Sequence, residues 1–101
     1  MIEQNNYDPV RDYTVMYYTY ILKSKKNSVL YTGSTNDLRK RLKQHNDGKS
    51  TYTNKFKPWE VIYYEACNNE QDARSRELYL KSGMGKRYLK NRLRGFLSQT
   101  G

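Results

Sequence analysis

Cysteine occurs once in this chain, at position 67, so no internal disulfide and no cysteine-based zinc site can form, and a reducing cytoplasm is the expected compartment. Histidine also occurs once, as His45, and the acids do not cluster; few ligands exist for a metal held by several side chains. No apolar run approaches the ~18–20 residues that cross a bilayer, and no charged segment leads into an apolar one as in a secretory signal. A membrane partner is therefore excluded. Apolar residues are scarce too: they make up 36% of the chain, and eleven of them are tyrosines. The core must be small and partly tyrosine-built. At 101 residues there is room for one domain.

Acidic residues are the next shortage. Nineteen Lys and Arg stand against ten Asp and Glu, a net charge of +9, which is the signature of a nucleic-acid partner. Residues 1–14 (MIEQNNYDPVRDYT) are net −2, so the remainder carries +11, and from Lys81 onward six basic residues occur without an acid. The leader has neither helical nor strand period and is read as a flexible segment over residues 1–15, ahead of a folded domain over 16–97 and a tail over 98–101.

Val15–Lys23 (VMYYTYILK) and Val29–Gly33 (VLYTG) are β-branched and aromatic runs separated by SKKNS, a hairpin pattern. Ser34-Thr35-Asn36-Asp37 supplies helix caps before LRKRLKQHN, and Asp47-Gly48 supplies the stop. A basic, aromatic loop over 48–57 leads to a third strand, Trp59–Cys67. A second helix is expected over Glu70–Ser82. Gly83-Met84-Gly85 then breaks the chain before a third, basic helix over Lys86–Leu97 with Leu89, Leu93 and Phe96 or Leu97 inward. The order ββαβαα predicts an α+β domain with a small, mainly antiparallel three-stranded sheet flanked by helices.

Ionisable groups on packing faces are the informative positions, because a charge near a core costs free energy unless it is paired or used. In the first helix Leu38, Arg41, Leu42 and His45 share one face; in the second, Ala73, Glu77 and Leu80 do. Arg41 and His45, one turn apart, could form a phosphate-facing pair. Each has a structural alternative: a snorkelling Arg41, a His45 that caps the helix C-terminus, and a Glu77 salt-bridged to Arg74, Arg76 or Lys81. One carboxylate with waters and substrate phosphate could still hold a hard cation. Among the strand tyrosines, Tyr18 and Tyr20 share a face, whereas Tyr17, Tyr63 and Tyr64 read as core.

The tripeptides YTY (Tyr18, Thr19, Tyr20) and YTG (Tyr31, Thr32, Gly33), followed in order by NDLRKRLKQH, KPWEVIYYEA and ARSRELYLK, resemble the GIY-YIG nuclease domain over about residues 16–97. The similarity is to small stand-alone bacterial members and to the N-terminal nuclease domain of the bacterial repair excinuclease. It implies a DNA endonuclease acting in repair or DNA processing. Tyr20 and Tyr31 would be the phenols bordering the attacking water, either of them the general base. Arg41 would be the catalytic arginine, His45 a support for the phenol, Gly33 the motif glycine between strand and helix, and Glu77 the carboxylate for a single Mg²⁺ or Mn²⁺. The sequence departs from the pattern at Tyr18, Thr19 and Thr32, and the family's late asparagine has no secure counterpart beyond Asn91.

These residues predict in-line attack of water on a DNA phosphodiester. Arg41 would neutralise charge on the phosphorane, Glu77 would hold the ion, and a tyrosine would take the proton. Lys49, Lys55, Lys57, Lys86, Arg87 and Lys90 are the candidate phosphate contacts. The competing expectation is a non-catalytic nucleic-acid-binding module of the same fold, whose affinity would fall steeply with salt and need no metal.

Overall fold

The computed structural model describes residues 15–99. The leader expected over 1–15 thus lies almost wholly outside the described residues. Eight elements follow one another: β1 (Tyr17–Ser24), β2 (Leu30–Thr35), α1 (Leu38–Asn46), α2 (Thr51–Asn54), β3 (Trp59–Cys67), α3 (Glu70–Lys81), α4 (Gly83–Arg92) and α5 (Arg94–Gln99). The sheet is fully antiparallel in the order β2-β1-β3, with Tyr20 opposite Gly33 on one side and Tyr64 on the other. An α+β fold with helices flanking a three-stranded sheet is therefore what the chain forms.

As the central strand, β1 is covered on both faces, and Thr19 through Ser24 are all buried. Alternation sends Tyr20 and Leu22 to one side, where they pack with Trp59, Leu38, Leu42 and Phe56 beneath α1 and α2. Ile21 goes to the other and meets Leu80, Leu89 and Leu93 of the α3–α4 layer. Thr19 fixes α3 to the sheet by donating its hydroxyl to the Ala73 carbonyl at 2.9 Å. The hairpin turn is organised by the buried Ser24, whose oxygen accepts from Lys26 and Asn27 N–H and whose hydroxyl donates to the Phe56 carbonyl.

The structure corrects five expectations. The first strand begins at Tyr17 rather than Val15. The loop over 48–57 contains the short helix α2, held by tertiary contacts and not by propensity. The expected break at Gly83-Met84-Gly85 falls one residue earlier. Ser82 ends α3 and also caps α4, its side chain accepting from Gly85 N–H, so the glycines enter the first turn of α4. Gly85 fits there because the Tyr79 carbonyl and the Leu80 backbone leave no space for a Cβ. The basic helix expected over 86–97 is accordingly two helices, joined at the buried Leu93. Finally, Tyr64 is not core: it is 55% exposed and its ring meets Tyr18 edge to face.

Candidate active site

Each candidate side chain reaches the β2 edge of the sheet by a different route. Tyr20 comes up from the centre of the sheet, with its phenol beneath Gly33; a Cβ at Gly33 would stand 2.5 Å from the hydroxyl. Glycine is needed there because the two strands bring backbone and phenol together with no room between them. The next residue, Ser34, donates its hydroxyl to Glu77 Oε1 at 2.7 Å and so ties α3 to β2. Glu77 Oε2 meets Lys81 one turn further on, also at 2.7 Å. The salt bridge weighed from sequence is thus present, alongside the contact to Ser34. Glu77 remains partly open, its side chain 21% exposed, beside a cleft of about 280 Å³ that it lines with Ser34, Arg74 and Leu78.

Helix α1 supplies the other pair. Asp37 caps it by accepting from Lys40 N–H, and Asp47 and Gly48 close its C-terminus through backbone N–H groups. His45 is therefore not the capping group. Its ring is fully buried, with Nε2 3.0 Å from the Tyr20 hydroxyl and Nδ1 2.8 Å from Thr53 Oγ1. Burial, together with the charge of Arg41, holds the imidazole at a pKa of about 4, so it is neutral at pH 7. Half-buried Arg41 donates from Nη1 to Gln44 Oε1 at 3.0 Å.

The Tyr20 hydroxyl is the point at which these groups meet. Burial pushes its pKa up to about 12. Arg41 acts against this as a hydrogen-bond donor and as a charge, while Tyr31 and Glu77 add to the rise. The neutral imidazole carries one N–H, so it donates in one of its two hydrogen bonds and accepts in the other. This network leaves no buried polar side-chain atom without a partner among the described residues. Tyr31 packs its ring 5.0 Å from that of His45 and is half-buried.

Tyr20, Tyr31, Arg41, His45 and Glu77 therefore converge at one strand edge, around Gly33 and Ser34. The basic residues divide. Lys86 and Lys90 line a cavity together with Tyr31, whereas Lys49, Lys55, Lys57 and Arg87 are exposed elsewhere on the surface. Asn91 is exposed and accepts from Arg94 at 3.3 Å; no contact ties it to the cluster. Sequence reasoning missed Ser34, read only as part of a capping segment, and Thr53, read only as part of a basic loop. Nothing in the local pattern marks either.

The donor set fits a singly anchored divalent ion and no richer site. Among the described residues there is no group of three or more His, Cys, Asp and Glu side chains that could hold a metal. Glu77 alone offers a carboxylate, and the ammonium on its Oε2 is a half-exposed i,i+4 partner of the kind that costs little to displace.

Residues 16–92 match the GIY-YIG catalytic domain, and the chain belongs to that family, which at the superfamily level is one of endonucleases. Within it, the chain is similar to UPF0213 proteins. It is 49% identical to one from Clostridium perfringens over 67 residues, 65% of this chain and 71% of that protein. To the UPF0213 protein YazA of Bacillus subtilis it is 44% identical over 66 residues, 64% of this chain and 66% of the relative. A solution NMR structure of a UPF0213 protein from Bacillus halodurans shares 32% identity, covering 73% of this chain and 81% of that one, with a TM-score of 0.45. Among the described residues, no helix is long and apolar enough to cross a membrane.

Proposed function

We propose that the protein is a metal-dependent endonuclease that hydrolyses DNA phosphodiester bonds by in-line attack of water. The observation that carries this reading is the gathering of Tyr20, Tyr31 and His45 in mutual contact beneath Gly33, with the next residue, Ser34, bonded to Glu77. Glu77 would hold one Mg²⁺ or Mn²⁺. When bound, such an ion supplies Lewis-acid stabilisation at the leaving 3′ oxygen and a template for the phosphate.

The remaining roles belong to the chain itself. Arg41, anchored by Gln44, presents its guanidinium to the charge that builds on the phosphorane. The two phenols divide their labour. Tyr20 is 1% exposed and hydrogen-bonded to His45, so it positions and polarises. Tyr31 is reachable from a cavity and takes the proton of the attacking water. His45 and Thr53 hold Tyr20 in register. Lys49, Lys55, Lys57, Lys86, Arg87 and Lys90 supply phosphate contacts, and the likeness of the chain to the excinuclease nuclease domain supports a role in repair or DNA processing.

The test is nicking of supercoiled plasmid with Mg²⁺ or Mn²⁺ by wild type and by Glu77→Gln, which keeps an acceptor for Ser34. Wild type nicks only with metal, and the variant is at least 100-fold slower. Equal nicking by the two would overturn the assignment. One observation favours the binding-module reading: the ion pair that engages the Glu77 carboxylate. On that reading DNA is bound without any dependence on a divalent metal and is never cut.

A further inference from the structure

A cavity of about 600 Å³, within the range of small-ligand pockets, opens at the edge of β2 between the two helical layers. Its floor is apolar, built by Leu30 of β2, Leu80 of α3 and Leu89 of α4. Tyr31 and Tyr52 line it with aromatic surface, and the basic residues Lys81, Lys86 and Lys90 line it as well. Two of these residues also belong to the catalytic cluster: Tyr31 directly, and Lys81 through its ion pair to Glu77.

Tyr52 is the informative residue, because nothing in the proposed chemistry uses it. It sits on the four-residue α2 and is 48% exposed. The ring is nonetheless fixed in place. It stacks on Tyr31 with centroids 6.1 Å apart and planes at 30°, and Phe56 holds it edge to face at 5.4 Å. A rigid, exposed aromatic loses little freedom when something stacks on it. An apolar floor, aromatic surface and three cations together match one chemistry, a flat heteroaromatic base with a phosphate on either side. In duplex DNA the faces of the bases are covered by their neighbours. Only an unpaired or extruded base can offer its face to such a cavity.

We infer that this cavity seats an unpaired base of the strand being cut, so that the substrate class is DNA with a single-stranded, flapped or frayed segment. The inference rests on the nuclease reading for its placement beside the scissile phosphate, but base seating can be measured without cleavage. A free mononucleotide presents the same base and phosphate, and one arm of the experiment separates it.

The experiment measures anisotropy of labelled oligonucleotides with the full chain in the absence of divalent metal. Single-stranded and flapped DNA are expected to bind about tenfold more tightly than blunt duplex of equal length, from stacking of one base. Tyr52→Ala removes that preference and Tyr52→Phe retains it; Leu30→Glu, which places a carboxylate on the cavity floor, also removes it. Equal affinity of wild type for single strand and duplex, or an undiminished preference in Tyr52→Ala, would overturn the inference. So would displacement of the oligonucleotide by a mononucleotide at equal concentration, which would make the cavity a free-nucleotide site. The two readings fail separately. If wild type nicks nothing but keeps its single-strand preference, the catalytic assignment falls and the base seat stands. If it nicks plasmid but binds both DNA forms alike, only the base seat falls.

Discussion

Thr53 holds the imidazole of His45 through Nδ1 at 2.8 Å and thereby leaves Nε2 for the hydroxyl of Tyr20. Thr53 is itself fixed at its backbone, because Trp59 Nε1 donates to its carbonyl at 2.8 Å. A four-residue helix thus holds in place a histidine two elements away from the strand it serves.

Thr53→Val removes the hydrogen-bond partner of His45 Nδ1 while keeping the shape of the side chain. A ring nitrogen is then buried without a partner, which costs about 1–3 kcal/mol. Urea denaturation should register that loss, and the ¹⁵N shifts of His45 should change with it. An unchanged midpoint with unchanged ¹⁵N shifts would contradict the network.

Acid should destabilise the protein through the same histidine. In the unfolded chain an imidazole titrates near 6.5, whereas in the fold His45 titrates at about 4. Between those values the unfolded chain binds a proton that the folded chain does not, so stability is full above pH 6.5 and falls as the pH drops towards 4. The loss from this group is about 3 kcal/mol. Glu65 also contributes in acid: burial raises its pKa, but Arg76 and Tyr63 bring it below the usual carboxylate range. The His45 share is therefore isolated by comparing wild type with His45→Gln. The pH dependence of the urea midpoint between 7 and 4 should be shallower in the variant.

Gly33→Ala tests the close approach over Tyr20. The added methyl would meet the hydroxyl at 2.5 Å and Cζ at 2.7 Å, and the phenol cannot withdraw without breaking its bond to His45. Overpacking of this kind costs about 1–3 kcal/mol, a fall in Tm of at least several degrees in a domain of this size. Plasmid nicking should drop with it, because Tyr20 and Ser34 are displaced together. A variant with wild-type Tm would show that the strands have more room than the structure gives them.

Away from the site, Arg76 clamps the α3–α4 layer to β3. It forks onto Glu65 at 2.9 and 3.0 Å, and its guanidinium lies over Tyr79 and Tyr88, 5.1 and 4.9 Å from the ring centroids. Arg76→Lys keeps the charge but loses the fork and the flat stacking surface. It should lower stability by about 1–2 kcal/mol and leave nicking per folded molecule unchanged. Thermal denaturation and nicking well below the Tm read the two effects separately.

What was legible in the sequence follows from the range of the interactions concerned. The bounds of α1 are local, set by Asp37 ahead and Gly48 behind, and those of β3 by Pro58 and Asn68-Asn69. Arg41 and His45 stood out because they interrupt the apolar stripe of a short helix, and Glu77 because it lies between Ala73 and Leu80. Ser34 and Thr53 gave no such signal. Hydroxyl residues in turn-like stretches already have a local explanation, and their partners lie 43 and 8 residues away. Helix α2 is below the length at which propensity can act, so only its docking makes it helical. The start of α4 was hidden for the opposite reason: two glycines argue against a helix, and a capping serine with a tight seat for Gly85 overrides them.

The single tryptophan of the chain is almost fully buried, bonded to the segment that carries Thr53, with the Tyr31 ring 6.1 Å away. Its emission therefore has one source, placed between the helix that orients the histidine and the wall of the cavity. Without any label, the molecule reports optically whether that helix is docked.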